Sequence, residues 1–205
     1  MLAAHDLACE RGGRALFRNL NFTLERGVLL HIKGANGSGK TSLLRMLCGL
    51  TPPASGRITW DDEDIRGLRE NYAAQITYIG HHPAVKDELS ALENLRVAQA
   101  LAGQPVTVAQ AQAALAAVGL QGRANLPLRV LSQGQRRRVA LARLWLSHAV
   151  LWILDEPFNA LDVEAAALLE RHIETHLGAG GMVVLTTHQQ PGIASQRMHI
   201  VQLAA

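Results

Sequence analysis

The sequence predicts an α/β fold with an inserted α-helical subdomain, and three observations lead to this prediction. First, the apolar run from Val28 to Ile32 is typical of a buried parallel strand, and a glycine-rich loop and a helical pattern follow it directly. Second, helical spacing dominates residues 83–147. Third, the chain returns to a strand, helix and strand pattern over residues 150–187.

The individual elements follow from hydrophobic periodicity and from turn signals at glycine and proline. Strands are predicted over residues 16–24, 28–32, 57–60, 76–79, 150–154 and 182–187. Helices are predicted over residues 41–47, 89–102, 107–118, 132–143 and 163–177. We therefore expect a single domain over residues 1–205, with a core of about 1–82 and 148–205 and a helical subdomain of about 83–147.

The composition excludes several classes of protein. With 48% hydrophobic and 18% charged residues, the 205-residue chain is expected to fold rather than remain disordered. An aromatic content of 4% and a net charge of +3 give no support to a base-stacking nucleic-acid surface. The two cysteines, Cys9 and Cys48, lack metal-ligand spacing and favour a reducing, cytosolic setting. We expect neither a signal peptide nor a transmembrane helix, so any work at a membrane would require docking on another protein.

The glycine-rich loop carries the first chemical motif. It consists of Gly34, Ala35, Asn36, Gly37, Ser38, Gly39, Lys40 and Thr41. A strand precedes this loop and a helix follows it, as phosphate binding by backbone N–H groups at a helix N-terminus requires. Lys40 would reach the β- and γ-phosphates, and the Thr41 hydroxyl would ligate Mg²⁺. The loop therefore predicts binding of ATP with Mg²⁺.

An acidic pair follows the apolar strand of residues 150–154. Asp155 and Glu156 would lie at the carboxyl edge of a parallel sheet, which is where ligands of open α/β folds bind. Asp155 is the candidate Mg²⁺ partner through water, and Glu156 is the candidate general base for the attacking water. The pair alone would be a weak signal, but with the phosphate loop it predicts ATP hydrolysis.

A third motif consists of Leu131, Ser132, Gln133, Gly134 and Gln135. It opens a predicted helix in which Ser132 would be the N-cap and Gly134 would allow close backbone approach. Here the sequence resembles the ATP-binding-cassette (ABC) family, whose signature is usually Leu-Ser-Gly-Gly-Gln, so that the middle residue differs. The resemblance implies that the signature of one subunit closes over ATP bound to another. The simplest assembly is then a homodimer.

Two further matches to this family lie after the acidic pair and after the last predicted core strand. Ala160, Leu161 and Asp162 follow the acidic pair at the spacing of the family's dimer-contact loop. His188 follows the strand of residues 182–187, where the family places a histidine that senses the γ-phosphate. The resemblance thus implies a catalytic role for His188.

Two further positions, besides Gln133, depart from the family pattern. Arg11 occupies the place of the aromatic residue that stacks on adenine, and the resemblance makes it a possible adenine contact. His82 occupies the place of a glutamine that senses Mg²⁺ and contacts the membrane partner. A neutral histidine can ligate a metal, so His82 is a candidate metal ligand.

Four segments narrow the resemblance to the ATP-binding subunits of bacterial cytochrome c maturation haem exporters; they are residues 79–83, 92–95, 140–146 and 151–158. This resemblance implies a peripheral protein on the cytoplasmic face of the inner membrane, bound to integral membrane subunits. ATP hydrolysis would drive release of a haem-loaded periplasmic chaperone. We expect no direct haem binding, because the chain lacks Cys-x-x-Cys-His and because His81 and His82 fit the ATPase and docking region better.

Three alternative functions remain compatible with the sequence. The first is an ABC transporter ATPase with another cargo, which would share all the ATPase residues. The second is a soluble, non-transport ABC ATPase, although the segment between Lys40 and Ser132 is too short for the long coiled coil of the DNA-repair type. The triplet Arg136–Arg138 favours a solvated helix face over nucleic-acid binding. The third is a non-enzymatic sensor, against which Asp155 and Glu156 argue.

Overall fold

The computed structural model describes residues 1–203, except for the side chain of Ser195. Its strands, in chain order, are β1 (Leu2–Arg11), β2 (Arg14–Leu24), β3 (Leu29–Lys33), β4 (Ser55–Trp60), β5 (Glu63–Asp64), β6 (Ile76–Ile79), β7 (Leu151–Asp155), β8 (Met182–Thr186) and β9 (Met198–Gln202). Its α-helices are α1 (Lys40–Leu47), α2 (Ile65–Leu68), α3 (Glu70–Ala73), α4 (Ala91–Leu101), α5 (Val108–Ala117), α6 (Gln133–Leu141) and α7 (Val163–Gly178). No helix among these residues is long and apolar enough to cross a lipid bilayer.

The described chain divides into two compact units. The first contains Met1–Tyr78, Ala149–Glu156 and the described residues from His172 to Leu203. The second contains Ile79–His148 and Pro157–Arg171.

The first unit is built on two sheets. One is antiparallel, with the strand order β2-β1-β4-β5. The other has the order β6-β7-β8-β3-β9, in which β3 is parallel to both β8 and β9, and β7 is parallel to β8. Because β3, β7 and β8 run in the same direction, the residues after each of them meet at one edge of the sheet.

Burial explains why the central strands read as continuous apolar runs. Every residue of β7 and β8 is buried, and in β3 only Lys33 is partly exposed. Strands that are covered on both faces have no solvent-exposed side, so their sequences do not alternate between apolar and polar residues. The core of this unit also includes four side chains of α1, namely Leu43, Leu44, Met46 and Leu47.

The second unit has a separate helical core. Apolar side chains of α4, α5 and α6 meet in it, including Leu95, Leu115 and Val139. Ser90 and Thr107 form capping boxes with Glu93 and Gln110, so α4 and α5 each begin where a side chain satisfies free backbone N–H groups. A 3₁₀ segment, Ala142–Leu146, extends the chain beyond the end of α6.

Candidate active site

The phosphate loop joins β3 to α1 in a conformation that depends on glycine. Gly39 is the N-cap of α1 and has a φ of 98°, a backbone angle that residues other than glycine rarely adopt. A Cβ atom at Gly39 would lie 3.1 Å from Cβ of Leu16 and 3.2 Å from the ring of Phe17. The cap has no side-chain hydrogen bond to α1, so the first N–H groups of this helix can face an anion.

The interior of this loop contains donors suited to phosphate. The ammonium group of Lys40 donates to the carbonyl oxygens of Gly34 at 2.8 Å and of Ala35 at 3.1 Å. The Oγ atom of Ser38 is buried and has no hydrogen-bond partner within residues 1–203. A Cβ atom at Gly34 would lie only 2.5 Å from this oxygen. A buried, unused hydroxyl beside an ammonium group and a helix N-terminus fits a phosphate chain.

Thr41 and Asp155 meet at the carboxyl edge of the parallel sheet. The Thr41 hydroxyl donates to Oδ2 of Asp155 at 2.8 Å. The hydroxyl of Thr186 donates to Oδ1 of the same carboxylate at 2.7 Å. Asp155 is 2% exposed, so these two hydroxyls hold a buried acid at the end of β7. An alcohol and a carboxylate are oxygen ligands of the kind that Mg²⁺ prefers, and this pair therefore fits Mg²⁺ next to the phosphate loop.

Glu156 follows β7 in a left-handed backbone conformation with a φ of 50°. Its N–H group donates to the carbonyl oxygen of Thr186 at 3.1 Å and to the Thr186 hydroxyl at 3.0 Å. These two bonds stabilise a conformation that a non-glycine residue otherwise disfavours. Oε1 of Glu156 lies 3.5 Å from Nε2 of His188, whose side chain is 60% exposed. The structure therefore brings together the two residues predicted to be catalytic.

Sequence reasoning missed His31, which lies in the centre of β3. Its Nε2 atom lies 3.1 Å from the carbonyl oxygen of Thr187, the residue before His188. Burial lowers the pKa of His31 below its ordinary value. The available signal was one polar residue in an otherwise apolar strand. The hydrophobic pattern alone did not distinguish a functional histidine from one that only packs in the core.

The signature motif opens α6 in the helical unit. Ser132 is the N-cap, and its hydroxyl accepts from the N–H group of Gln135 at 3.2 Å, which confirms the predicted cap. The side-chain oxygen Oε1 of Gln135 in turn accepts from the N–H group of Ser132 at 3.0 Å. Leu131 is buried in the helical core, whereas Gln133 is exposed. The helix therefore begins at the predicted residue, with Gln133 turned to solvent.

The predicted dimer-contact loop, residues 160–162, lies directly against the signature helix. A Cβ atom at Gly134 would lie 2.5 Å from the carbonyl oxygen of Ala160, so only glycine permits this approach. The carboxylate of Asp162 forms an ion pair with Arg138 at 3.6 Å, and the N–H group of Leu161 donates to the carbonyl oxygen of Phe158 at 3.2 Å. Residues 160–162 and α6 thus share one region of the helical unit.

The interpretation of the arginine triplet as a solvated helix face is wrong for Arg137. This side chain is 3% exposed, and its Nη1 atom donates to the carbonyl oxygens of Gly80 at 2.7 Å and of His81 at 3.3 Å. Arg136 forms an ion pair with Asp87 at 3.1 Å. A guanidinium can be buried when it replaces its lost hydration with carbonyl acceptors, and charge patterning alone cannot predict that arrangement.

Arg11 and His82, which also depart from the family pattern, are both exposed. Arg11 lies at the end of the β1–β2 hairpin, where it pairs with Arg14. His82 belongs to the helical unit, and its ring contacts that of His81 in a T-shaped arrangement with 5.1 Å between centroids. The backbone of His81 is held by Arg137, so α6 also fixes the residue that precedes His82.

Comparison with known proteins identifies the family. A family model described as ABC transporter matches residues 17–159. The cytochrome c biogenesis ATP-binding export protein CcmA of Nitrosospira multiformis is 54% identical over 198 residues, which cover 97% of this chain and 96% of that protein. A putative ABC transporter ATP-binding protein from Pyrococcus furiosus has a TM-score of 0.84 at 25% identity and covers 98% of this chain and 96% of its own.

A third similarity concerns the fold alone. A solved ATP-binding cassette, described as dimeric and bound to ADP and Pi, has a TM-score of 0.79 at 24% identity and covers 92% of this chain and 88% of its own. These likenesses confirm the predicted α/β fold of ABC ATPase type with its helical insertion. The chain therefore belongs to the ABC transporter family and, within it, to the cytochrome c biogenesis ATP-binding export proteins.

Proposed function

We propose that this chain is the ATP-hydrolysing subunit of an ABC transporter for haem export in cytochrome c maturation. The observation that carries the proposal is the convergence of the phosphate loop with Asp155 and Glu156 at one sheet edge, in a chain 54% identical to a cytochrome c biogenesis export protein. The arrangement of the phosphate loop, Asp155 and Glu156 supports ATP hydrolysis. The identity to the export protein supports the process that this hydrolysis drives.

In the proposed mechanism, residues 34–41 bind the phosphates of ATP through backbone N–H groups and through the ammonium group of Lys40. The Thr41 hydroxyl and the Asp155 carboxylate would hold Mg²⁺ beside the phosphates, where the ion would supply neutralisation of phosphate charge. The Glu156 carboxylate accepts a proton from the attacking water. His188 lies 3.5 Å from that carboxylate, where its exposed ring can contact the γ-phosphate and orient it. Arg11 and His82 are proposed as contacts to adenine and to the metal region, respectively.

We further propose that the working unit is a homodimer with two shared ATP sites. The chain contains one phosphate loop and one signature, and each loop would be closed by Ser132 and Gly134 of the second copy. The close approach of Gly134 to Ala160 supports this arrangement, because it joins the signature to the proposed dimer-contact loop. Closure of the dimer would then complete both sites together.

The proposed setting is the cytoplasmic face of the bacterial inner membrane. The chain would be peripheral there, held by integral membrane subunits of the same export system. ATP hydrolysis would drive release of a haem-loaded periplasmic chaperone, without haem binding by this chain. The identity to the export protein of Nitrosospira multiformis supports this pathway over a transporter with another cargo.

An affinity purification tests the pathway. The tagged chain is expressed in bacteria that mature c-type cytochromes, and its partners are purified from detergent-solubilised membranes and identified by mass spectrometry. We expect integral subunits of the cytochrome c maturation system. Recovery of the membrane subunits of a different transporter would contradict the proposed cargo while leaving the ATPase chemistry intact.

A further inference from the structure

The imidazole of His31 occupies an unusual place for a polar group, since it has no exposed surface in the middle of β3. Its Nε2 atom lies 3.1 Å from the carbonyl oxygen of Thr187, and its Nδ1 atom has no hydrogen-bond partner within the described chain. A carbonyl oxygen only accepts, so Nε2 carries a proton and donates to Thr187. Because the buried Nδ1 atom has no acceptor for a second proton, the ring is favoured in its neutral form. Burial of a neutral donor is favourable only if its hydrogen bond is kept.

The carbonyl group that His31 contacts lies where the chain leaves the sheet. The parallel pairing of β3 with β8 ends at Ile32 and Thr186. Thr187 is the next residue, and its hydroxyl accepts from the N–H group of Gln189 at 3.1 Å. This bond closes a short turn around His188. The side chain of His31 therefore fixes the backbone at the start of the turn that carries His188.

The residues on either side of Thr187 contact the acidic pair. The Thr186 hydroxyl donates to Asp155 at 2.7 Å and accepts from the N–H group of Glu156 at 3.0 Å. His188 lies 3.5 Å from the Glu156 carboxylate. We propose that His31 is a positioning residue for ATP hydrolysis, which holds the Thr187 carbonyl so that His188 stays opposite Glu156. This inference rests on the proposed function, because it requires that His188 takes part in hydrolysis.

Three substitutions separate this role from simple packing. His31→Leu removes the donor and keeps an apolar side chain, whereas His31→Gln places an amide N–H group near the position of Nε2. His31→Asn is a second disruptive variant, since its shorter amide cannot reach as far. Thermal unfolding, kcat and KM for ATP are measured for each. We expect His31→Leu and His31→Asn to lower kcat about tenfold, the rate equivalent of one buried hydrogen bond, with KM nearly unchanged. His31→Gln should restore most of kcat.

The chain offers a matched control in His176. Its Nε2 atom also lies 3.1 Å from a backbone carbonyl oxygen, but this carbonyl belongs to Val150, which precedes β7 at the opposite end of the strand from Asp155. His176→Leu therefore removes the same kind of bond away from the site. We expect it to lower the unfolding temperature while kcat stays within about twofold of wild type.

A double-mutant cycle with His188→Ala completes the test. If His31 acts through His188, then His31→Leu should cause no further loss of kcat in the His188→Ala background. An equal loss in both backgrounds, or failure of His31→Gln to restore kcat, would overturn the inference. Wild-type kcat in His31→Leu and His31→Asn would overturn it as well. Wild-type kcat in His188→Ala would instead remove the catalytic role of His188 from the proposed function, and the inference would fall with it.

Discussion

The Thr41 hydroxyl lies 2.8 Å from Oδ2 of Asp155, although 114 positions separate the two residues in the chain. The contact forms because α1 starts at the end of the loop after β3, while β7 ends at Asp155 on the same edge of the sheet. Parallel strands bring such distant residues together without any signal in the intervening sequence. This contact supports the proposal that the site binds Mg²⁺.

Substitution of Thr41 should change the Mg²⁺ dependence of hydrolysis. Thr41→Val keeps the shape of the side chain but removes the oxygen, so we expect the Mg²⁺ concentration for half-maximal activity to rise about 10- to 100-fold. Thr41→Ser keeps the hydroxyl and should remain close to wild type. ATPase activity is measured across a Mg²⁺ titration for both variants. The same titration curve for Thr41→Val and wild type would exclude Thr41 as a ligand.

Gly134→Ala should disrupt the region that joins the signature to the proposed dimer-contact loop. Its Cβ atom would lie 2.5 Å from the carbonyl oxygen of Ala160, so either α6 or the loop must move. We expect ATP turnover to fall about 10- to 100-fold, because small displacements of positioning groups have effects of this size. Gly67→Ala in α2 is the control, since nothing lies within 4 Å of the added atom. Equal turnover in the two variants would show that the close approach is not required.

The stability of the fold should decrease in mild acid. Burial lowers the pKa of both His31 and His176, and His176 also stacks on Trp152 with 3.7 Å between ring centroids. The unfolded chain regains the ordinary pKa of about 6.5 and binds protons more readily. The stability due to these groups is therefore complete above about pH 6.5 and is lost as the pH falls toward their lower folded values.

Urea unfolding at pH 7.5 and 5.5 measures this effect. We expect a lower midpoint at pH 5.5, and a smaller difference for His176→Gln, which keeps a donor for Val150 but cannot bind a proton in this range. An unchanged midpoint in the wild type, or the same difference in the variant, would contradict the assignment to His176.

Mixed subunits test the shared site. Lys40→Ala disables one phosphate loop, and Ser132→Arg disables one signature, so each pure variant should be nearly inactive. In the mixed dimer, the intact loop of one chain faces the intact signature of the other. Half of randomly assembled dimers are mixed and each has one working site, so we expect about a quarter of wild-type activity. Activity no higher than that of either variant alone would argue against sites shared between subunits.

Local signals were sufficient for much of this structure. The strand, loop and helix around residues 28–47 combine an apolar run, glycines and helical spacing, so no distant contact is needed to identify them. Strand β1 was not predicted, because its alanines are poor strand formers and because bulges interrupt its alternation. Its pairing with β2 shifts between Ala4 and Leu7, and Asp6 has a φ of 47°.

The parts that sequence reasoning missed depend on tertiary contacts. All five residues of β9 are partly or fully exposed, so no buried apolar run marks the strand, and its place beside β3 comes from long-range pairing. The burial of Arg137 depends on the carbonyl oxygen of Gly80, 57 positions earlier. The role of His31 depends on Thr187, 156 positions later. Neither the charge pattern nor the hydrophobic periodicity of a sequence predicts such distant partners.

The ATP turnover of Glu156→Gln measures whether hydrolysis depends on the Glu156 carboxylate. Glutamine keeps the size of the side chain but cannot accept the proton of the attacking water, while residues 34–41 remain intact. At saturating ATP, with binding measured in the same preparation, we predict that turnover falls about 100- to 10,000-fold and that ATP affinity is retained. Turnover at the wild-type rate would contradict this role, because hydrolysis would then not depend on the carboxylate of Glu156.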